Sequence, residues 1–254
     1  MKNHLSPYQI KFIKNSARSG KSLNYISQEL SIPKTTAYWW FRKSVGKKIK
    51  PIIVNEKNPG LLGELSGAFS GDGNFFKSNT YQYRISYFVG PKEKPYSIKL
   101  KKKIFDAFGR KANIYYNKKY HVFYVVVYGR DIYKFLKENL EWGKNKTFSV
   151  KLRKEMTDYD ENFLMGFARG IFDTDGSVNT KGELSVAVIS NKLITQTSEI
   201  LNIFGISHKL FYYQSKPPRK PLYGIRIGKK DAFIFLDKIG LSNDYKARKI
   251  LMHQ

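Results

Sequence analysis

The stretch that decides the fold is FARGIFDTDGSV, residues 167–178. It begins with the apolar spacing of an amphipathic helix, yet it ends on two aspartates and a glycine instead of a basic residue. The C-terminus of a helix carries partial negative charge, which disfavours a carboxylate there by about 0.3 to 1 kcal/mol. We therefore expect positive charge to lie beside Asp173 and Asp175.

The same skeleton occurs earlier in the chain, in LLGELSGAFSGDGNFF at residues 61–76. The positions that match at an offset of 103 residues are Gly63 with Gly166, Gly67 with Gly170, Phe69 with Phe172, Asp72 with Asp175 and Gly73 with Gly176. IFDAFG (104–109) also parallels ILNIFG (200–205), and YKFLKENLEWG (133–143) parallels FIFLDKIGLS (233–242). The chain is therefore an internal duplication, and each half is predicted to run helix, two strands, helix, two strands, helix.

The glycines of the repeat predict how the two matched helices pack. Gly63 and Gly67 lie four residues apart, as do Gly166 and Gly170, so each pair falls on one helical face and lets another backbone approach closely. Glycine costs about 1 kcal/mol relative to alanine inside a helix, so a pair in both copies indicates a compensating gain in packing. We expect the two helices to pack on each other about a pseudo-twofold axis.

That packing would place Asp72 and Asp175 side by side at one end of the helix pair. Two like charges so close would hold protons unless a cation is present. A divalent ion resolves the conflict, and because the chain has no cysteine its ligands must be oxygen or imidazole. The 4 histidines lie far apart in the sequence, so oxygen ligands are expected, and these indicate Mg²⁺, for which Mn²⁺ can substitute.

Here the sequence resembles the LAGLIDADG homing endonuclease family, in its single-chain form with two motif copies. LSGAFSGDG (65–73) and ARGIFDTDG (168–176) align with the nonapeptide that names the family, and the resemblance covers about residues 58–254. It implies an α+β fold, in which duplicated αββαββα units form two antiparallel four-stranded sheets that make a saddle over the major groove of DNA. The first copy departs from the motif at Ser70, whereas the second keeps Asp173; this position does not bind the metal in the family.

The resemblance also implies the residues of the site. Asp72 and Asp175 would bind the catalytic ions, with help from the backbone carbonyls of Gly71 and Thr174. Basic residues near the centre of the site are expected to stabilise the charge of the transition state. The candidates for that role are Arg226, Lys77 and Arg84.

The composition indicates a polyanionic partner. The 254 residues include 46 Lys and Arg against 20 Asp and Glu, a formal charge of +26, which is typical of nucleic-acid binding. No apolar run approaches the roughly 20 residues that span a bilayer, and no basic-then-apolar signal segment opens the chain. We expect a soluble, monomeric, intracellular protein of the cytoplasm, the nucleoid or an organelle, with double-stranded DNA as its partner and no membrane contact.

Residues 6–44 predict a small helical unit ahead of the duplicated core. A first helical pattern ends at Gly20, Ser22 can cap a second helix, and a turn at residues 31–33 leads into a third. This is the layout of a helix-turn-helix, whose last helix lies in the major groove. The residues that it would bring to DNA are Lys34, Thr35 and Thr36. The alternative is an ordinary three-helix bundle, which has a similar spacing.

The segment VGKKIKPIIVNEKNPG, residues 45–60, is basic and contains proline, which indicates a domain boundary near residues 46–58. The predicted domains are therefore 1–50, a helix-turn-helix with a basic linker; 58–150, the first half of the duplication; and 158–254, the second half.

Alternation along the strands predicts one sheet face for the helices and one for DNA. In TYQYRISYFV (80–89) the tyrosines and the isoleucine share a face, and the polar residues point to the other. YGIRIG (223–228) gives the same pattern in the second half, beside the basic loop SKPPRKPL (215–222). Arginine suits the edge of guanine and glutamine that of adenine. The residues predicted to face DNA are Gln82, Arg84, Ser86, Arg219, Lys220 and Arg226; the alternative for each is a solvated face.

These observations predict a site-specific homing endonuclease that makes Mg²⁺-dependent double-strand breaks. Because the two halves differ in sequence, the target should be long and asymmetric, and the resemblance implies short 3′ overhangs. Two alternatives on the same fold stay open. One is a non-cleaving DNA-binding transcription regulator, against which the retention of both aspartates argues, and the other is an RNA maturase, an intron-splicing cofactor.

Overall fold

The computed structural model describes residues 5–45, 54–77, 82–214 and 216–253. Two compact units, Met1–Pro51 and Ile52–Gln254, each have a hydrophobic core of their own. None of the helices in the described part of the chain has the length and apolar character needed to span a lipid bilayer.

The smaller unit consists of three helices, α1 (Pro7–Arg18), α2 (Leu23–Glu29) and α3 (Lys34–Val45). α1 begins at a capping box, in which the hydroxyl of Ser6 accepts from the N–H of Gln9 and the side chain of Gln9 accepts from the N–H of Ser6. The hydroxyl of Ser22 caps α2 by accepting from the N–H of Tyr25. The buried side chains that hold the helices together are Ile13, Ala17, Ile26 and Ala37.

The larger unit repeats one order of elements, helix, two strands, helix, two strands, helix. Its helices are α4 (Pro59–Ser70), α5 (Lys94–Phe108), α6 (Arg130–Asn139), α7 (Lys146–Ser149), α8 (Glu161–Thr174), α9 (Asn191–Ile203), α10 (Lys229–Lys238) and α11 (Asp244–Leu251). Its strands are β1 (Gly73–Lys77), β2 (Tyr83–Val89), β3 (Asn113–Asn117), β4 (Val122–Tyr128), β5 (Leu140–Glu141), β6 (Lys151–Leu152), β7 (Gly176–Val178), β8 (Leu184–Val188), β9 (Lys209–Tyr213) and β10 (Leu222–Ile227).

Each half contributes one antiparallel four-stranded sheet. The strand order is β1-β2-β4-β3 in the first half and β7-β8-β10-β9 in the second, so the two sheets have the same topology. A short two-stranded sheet of β5 and β6 follows the first half. The predicted α+β class and the duplicated order of elements are confirmed.

α4 and α8 pack face to face through their glycines. A methyl group on any of four glycines would collide with a carbonyl oxygen of the opposite helix. The pairs of glycine and facing residue are Gly63 and Phe163, Gly67 and Phe167, Gly166 and Gly60, and Gly170 and Glu64. The core continues across this contact, because one cluster of buried side chains includes Phe69 of the first half and Phe172 of the second. The packing therefore brings the C-terminal ends of α4 and α8 together.

Candidate functional site

The ends of α4 and α8 present two carboxyl groups to each other. Asp72 follows the end of α4 and its C-cap Gly71, and Asp175 is the C-cap residue of α8. A Cβ placed on Gly71 would lie 2.6 Å from Oδ2 of Asp175 and would collide with the hydroxyl of Thr174. The turn that carries Asp72 therefore lies directly against the carboxyl of Asp175.

The environment makes both carboxyls hard to ionise. Burial, with the nearby charge of Asp72 as the second cause, raises the pKa of Asp175 to about 7. Asp72 keeps access to solvent, but surrounding protein atoms replace much of its water, and this desolvation raises its pKa in spite of the opposing charges of Lys246 and Lys146. Two adjacent carboxyls with raised pKa values are an environment that a bound cation would relieve.

Two lysines supply the positive charge that the helix ends require. Nζ of Lys146 donates to the carbonyl oxygens of Phe69, Ser70 and Gly71 at 2.7, 2.7 and 2.6 Å. These three carbonyls end α4, so the ammonium group lies on the negative end of that helix. Burial lowers the pKa of Lys146 to about 8, against the opposing effect of Asp175 and Asp72.

Lys246 makes the matching contacts in the second half. Its Nζ donates to the carbonyl oxygens of Phe172, Asp173 and Thr174 at 3.3, 2.7 and 2.6 Å. Burial lowers its pKa as well, against the opposing charges of nearby carboxyl groups, of which Glu93 has the largest effect. Each helix end is thus covered by one lysine, and this arrangement answers the expectation of positive charge beside the aspartates.

Asp173, near the end of α8, points into the protein interior. It is fully buried, and its carboxyl accepts the N–H groups of Ser242 and Asn243 at 3.2 and 2.8 Å. Burial, followed by the charge of Glu64, raises its pKa to about 8 in spite of these donors. Asp173 therefore contacts the protein interior, whereas Asp175 contacts the first half of the site.

The carbonyls predicted to assist metal binding have another partner in this structure. The oxygens of Gly71 and Thr174 each accept from a lysine ammonium at 2.6 Å. A carbonyl oxygen has a second lone pair, but an ammonium so close would repel a cation on the same atom. In this structure the two carbonyls accept from lysines, and their direct binding of an ion stays a prediction.

The cations that sequence reasoning selected for the centre of the site lie on strands of the two sheets. Lys77 ends β1, five residues beyond Asp72, which corresponds to about 16 Å along an extended strand. Arg226 lies on β10, opposite Ser185, and its guanidinium lies over the ring of Phe211 at 5.5 Å. The lysines that contact the helix ends beside the carboxyl pair are Lys146 and Lys246, which sequence reasoning did not select.

A signal for those two lysines was present in the sequence. The segments 133–143 and 233–242 match at an offset of 100 residues, and the same offset pairs Lys146 with Lys246. The match between the segments stops short of these positions, because one lysine lies in the short helix α7 and the other within the longer α11.

The open face of the first sheet is rich in rings. Gln82 is exposed just before β2, and Arg84 is half-buried with its guanidinium 5.1 Å from the ring centre of Phe76. Ser86 is only 3% exposed, so it is not accessible on the face that alternation predicts for DNA. The reason is its position. This small side chain lies between two larger cross-strand pairs, Arg84 with Tyr128 and Phe88 with Tyr124. Thr80 and Tyr81, from the same predicted strand, lie outside the described residues.

The open face of the second sheet carries polar side chains on β7, β8 and β10, and the rings of Phe211 and Tyr213 beside Lys209 on β9. Arg226 is exposed between Ser185 on β8 and Lys209 on β9, and the hydroxyls of Ser177 and Ser185 are 3.1 Å apart. The loop between β9 and β10 exposes the remaining predicted residues of this half, Arg219 and Lys220. In the smaller unit, Lys34 and Thr35 are exposed at the start of α3, and Thr36 is half-buried.

The carboxyl pair fits a divalent cation. Among the described residues no group of three or more His, Cys, Asp or Glu side chains could hold a metal ion, so at this site the protein offers two carboxyl groups and no third such ligand. Mg²⁺ is commonly held by one or two carboxylates, with waters and substrate phosphates as its other ligands. The donor set therefore suits an ion that is shared between the protein and a phosphate backbone.

A comparison with known protein families agrees with this geometry. Residues 162–240 match the model of a LAGLIDADG-like domain. These residues contain most of the second half, from α8 to α10. The resemblance to the LAGLIDADG family is thus confirmed, and the chain contains a LAGLIDADG-like domain.

Solved structures show the same fold. The crystal structure of I-DmoI, a homing endonuclease, in complex with DNA and calcium is 16% identical, with a TM-score of 0.53 over 72% of this chain and 91% of that one. The N-terminal LAGLIDADG domain of WhiA is also 16% identical, with a TM-score of 0.50 over 74% of this chain and 86% of that one. At this identity the likeness establishes the fold.

A longer protein also shares part of its sequence with this chain. A DNA polymerase of Thermococcus hydrothermalis is 25% identical over 214 residues, which are 81% of this chain. The chain spans 12% of the length of that polymerase.

Proposed function

We propose that the protein is a site-specific endonuclease that cuts both strands of duplex DNA with the help of divalent ions. The observation that carries the proposal is that Asp72 and Asp175 lie at the adjoining ends of two packed helices, where the charge of Asp72 helps to raise the pKa of Asp175 and one lysine contacts each end. The formal charge of +26 supports a polyanionic partner. The homing endonuclease I-DmoI, which has the same fold, was crystallised with DNA and with calcium or manganese.

The residues of the site would divide the work between them. Asp72 and Asp175 would supply carboxylate oxygens to Mg²⁺, or to Mn²⁺ in its place. A bound divalent ion supplies charge that polarises a phosphate and lowers the pKa of water. Lys146, with a pKa of about 8, carries its proton in most molecules at neutral pH and presents positive charge close to both carboxyls. Lys246 lies at the matching helix end, with its Nζ on the carbonyl oxygens of Asp173 and Thr174.

The two halves would read different sequences. The open face of the first sheet presents rings on all four strands beside Arg84, whereas that of the second presents hydroxyls on β7 and β8 and rings on β9 alone, on either side of Arg226. A target read by both faces would be long and asymmetric, and its cuts would leave short 3′ overhangs. The helix-turn-helix of the domain 1–50 would add a further contact to DNA through the start of α3.

The test is a search for cut sites with the whole chain. The protein is incubated with Mg²⁺ and a library of duplexes from the flanks of its own gene, and the new ends are sequenced. Asp72→Asn and Asp175→Asn should each slow cleavage on the order of a hundredfold, because losing an ion's Lewis-acid effect costs about 3 kcal/mol. Asp106→Asn, an exposed aspartate on α5, is the matched control and should cut normally.

The outcomes separate the alternatives. Mg²⁺-dependent ends that disappear in both aspartate variants support the endonuclease. Tight binding without any cut contradicts it and supports a DNA-binding regulator. Cleavage together with assistance to splicing of an intron transcript would add a maturase role.

A further inference from the structure

Asp173 links the end of α8 to the start of α11. Its two carboxyl oxygens accept the N–H groups of Ser242 and Asn243, the two residues that precede α11. The side chain of Asn243 donates in return to the carbonyl oxygen of Asp173 at 3.0 Å and to Glu93 at 3.0 Å. An acceptor at the start of a helix is favourable, because the first N–H groups have no partner within the helix.

Lys246, in the first turn of α11, contacts Asp173 in its turn. The N–H of Lys246 donates to the carbonyl oxygen of Asn243 in the first turn of α11, so the position of that turn fixes the backbone of Lys246. Its Nζ then donates to the carbonyl oxygen of Asp173 at 2.7 Å. The lysine is 5% exposed. The side chain of Asp173 thus holds the helix whose lysine contacts the main chain of Asp173.

The first half lacks this link at the equivalent position. Ser70 replaces the aspartate, and its hydroxyl donates to the carbonyl oxygen of Ser66 one turn earlier in the same helix. The segment that carries Lys146 is held by local bonds, in which Oγ of Ser149 accepts from the N–H of Gly143 and donates to the carbonyl oxygen of Asn145. Lys146 and Lys246 therefore make the same contacts on differently supported segments.

We propose that Asp173 is a positioning residue for Lys246. Cleavage of one strand of the duplex then depends on the carboxyl group of Asp173, whereas cleavage of the other depends on the local bonds that hold Lys146. The carboxyl group of Asp173 keeps α11 against the end of α8, so that the ammonium of Lys246 stays beside the carboxyl pair. Ser70 does not do this for Lys146. The inference rests on the proposed endonuclease function, since its consequence is read from the separate cleavage of each strand.

The first test follows each strand of a target duplex with its own label. Asp173→Ser, which installs the residue of the first copy, should slow one strand about tenfold, as loss of an outer-shell partner does, and nicked DNA should accumulate. Lys246→Met should slow the same strand, and adding Asp173→Ser to it should have little further effect, because both changes act through one group. Asp173→Asn, which keeps one acceptor oxygen and nearly the same shape, should have a smaller effect on that strand.

A control separates positioning from general damage. Thr197→Ala removes a buried hydroxyl that donates to the carbonyl oxygen of Leu193 in α9, far along the chain from both lysines. It should change both strands alike or neither. Equal slowing of both strands by Asp173→Ser and Asp173→Asn would overturn the proposal.

A second measurement does not require cleavage. Hydrogen exchange of the full chain should quicken at the amides of Ser242, Asn243 and Lys246 in Asp173→Ser, and stay unchanged around Lys146. Unchanged exchange at the start of α11 would contradict the positioning role of Asp173, whatever the result of the cleavage assay. A wild-type protein that binds duplex and cuts neither strand contradicts the proposed function instead, and exchange then decides the role of Asp173 alone.

Discussion

The two halves of the duplicated unit agree where they meet and differ where they are open. At the contact, glycines face carbonyl oxygens in both directions, and a lysine covers the end of each helix. On the open faces, every strand of the first sheet carries an exposed ring, whereas in the second sheet β7 and β8 carry hydroxyls, β9 and β10 carry cations, and the rings are those of Phe211 and Tyr213 on β9. The residues of the first face are Phe76, Phe88, Tyr115 and Tyr128, and those of the second are Ser177, Ser185, Lys209 and Arg226.

This difference shows which features the fold requires in both copies. Close helix contact leaves no room for a side chain, so the glycines persist in both halves. An open strand position accepts many side chains, and there the halves have become different surfaces. The residues that repeat therefore indicate the common scaffold, and those that differ are the ones to test for selectivity.

The largest expected effect tests the shared contact. Gly67→Ala and Gly170→Ala should each lower the free energy of unfolding by about 3 kcal/mol, because the new methyl meets a backbone carbonyl that cannot move aside. Calorimetry of the full chain measures the change. Gly143→Ala is the control, since its Cβ would lie 3.5 Å from Oγ of Ser149, an ordinary contact. An effect confined to one half would show that the contact is not shared equally.

A smaller effect tests the carboxyl pair. Mg²⁺ at about ten times its Kd should raise the free energy of unfolding by about 1.4 kcal/mol at pH 8, and neither Asp72→Asn nor Asp175→Asn should respond. Below the pKa of Asp175, about 7, protons compete with the ion, so the affinity should fall about tenfold per pH unit.

Without Mg²⁺, the contribution of Asp175 to the free energy of unfolding changes with pH in the opposite direction to the stabilisation by Mg²⁺. The pKa of Asp175 rises from 3.8 to about 7 on folding, so the folded state holds a proton that the unfolded chain releases between these values. This group therefore favours folding less as the pH rises from about 4 to about 7. Thermal unfolding with and without Mg²⁺ at pH 6 and pH 8 tests both statements. Stabilisation by Mg²⁺ that is equal at the two pH values would contradict the role of Asp175.

The smallest expected effect sharpens the contrast between the open faces. Arg226→Ala should weaken DNA binding by about 1 kcal/mol and reduce the slope of log affinity against log salt by about 1, because a cation near phosphate or a base is lost. Tyr124→Ser, which removes a ring 5.5 Å from that of Tyr115, should weaken binding by a similar or smaller amount without changing the slope. Tyr120→Ser, in the turn beyond β3, should change neither. A reduced slope in Tyr124→Ser would mean that the first face does not act through its rings.

The sequence predicts the fold well because the repeat is long and its glycines have one physical explanation. Gly67 and Gly170 can be assigned to a helix contact from spacing alone, and the order of elements follows from the duplication. The site is harder to derive. Lys146 and Lys246 act on main-chain atoms, which require no particular partner side chain, so their shared offset of 100 residues is a weak signal. Ser86 is buried by the size of its neighbours, which alternation does not reveal.

The contact between α4 and α8 has a consequence for how such a chain could be built. Gly63 meets Phe163 while Gly166 meets Gly60, so each helix gives a glycine and receives a carbonyl in return. A reciprocal surface of this kind is what two identical subunits form about a twofold axis. The backbone geometry of this contact therefore suits two identical helices as well, and we expect a half-length chain that keeps both glycines to pair with a second copy of itself without the covalent link.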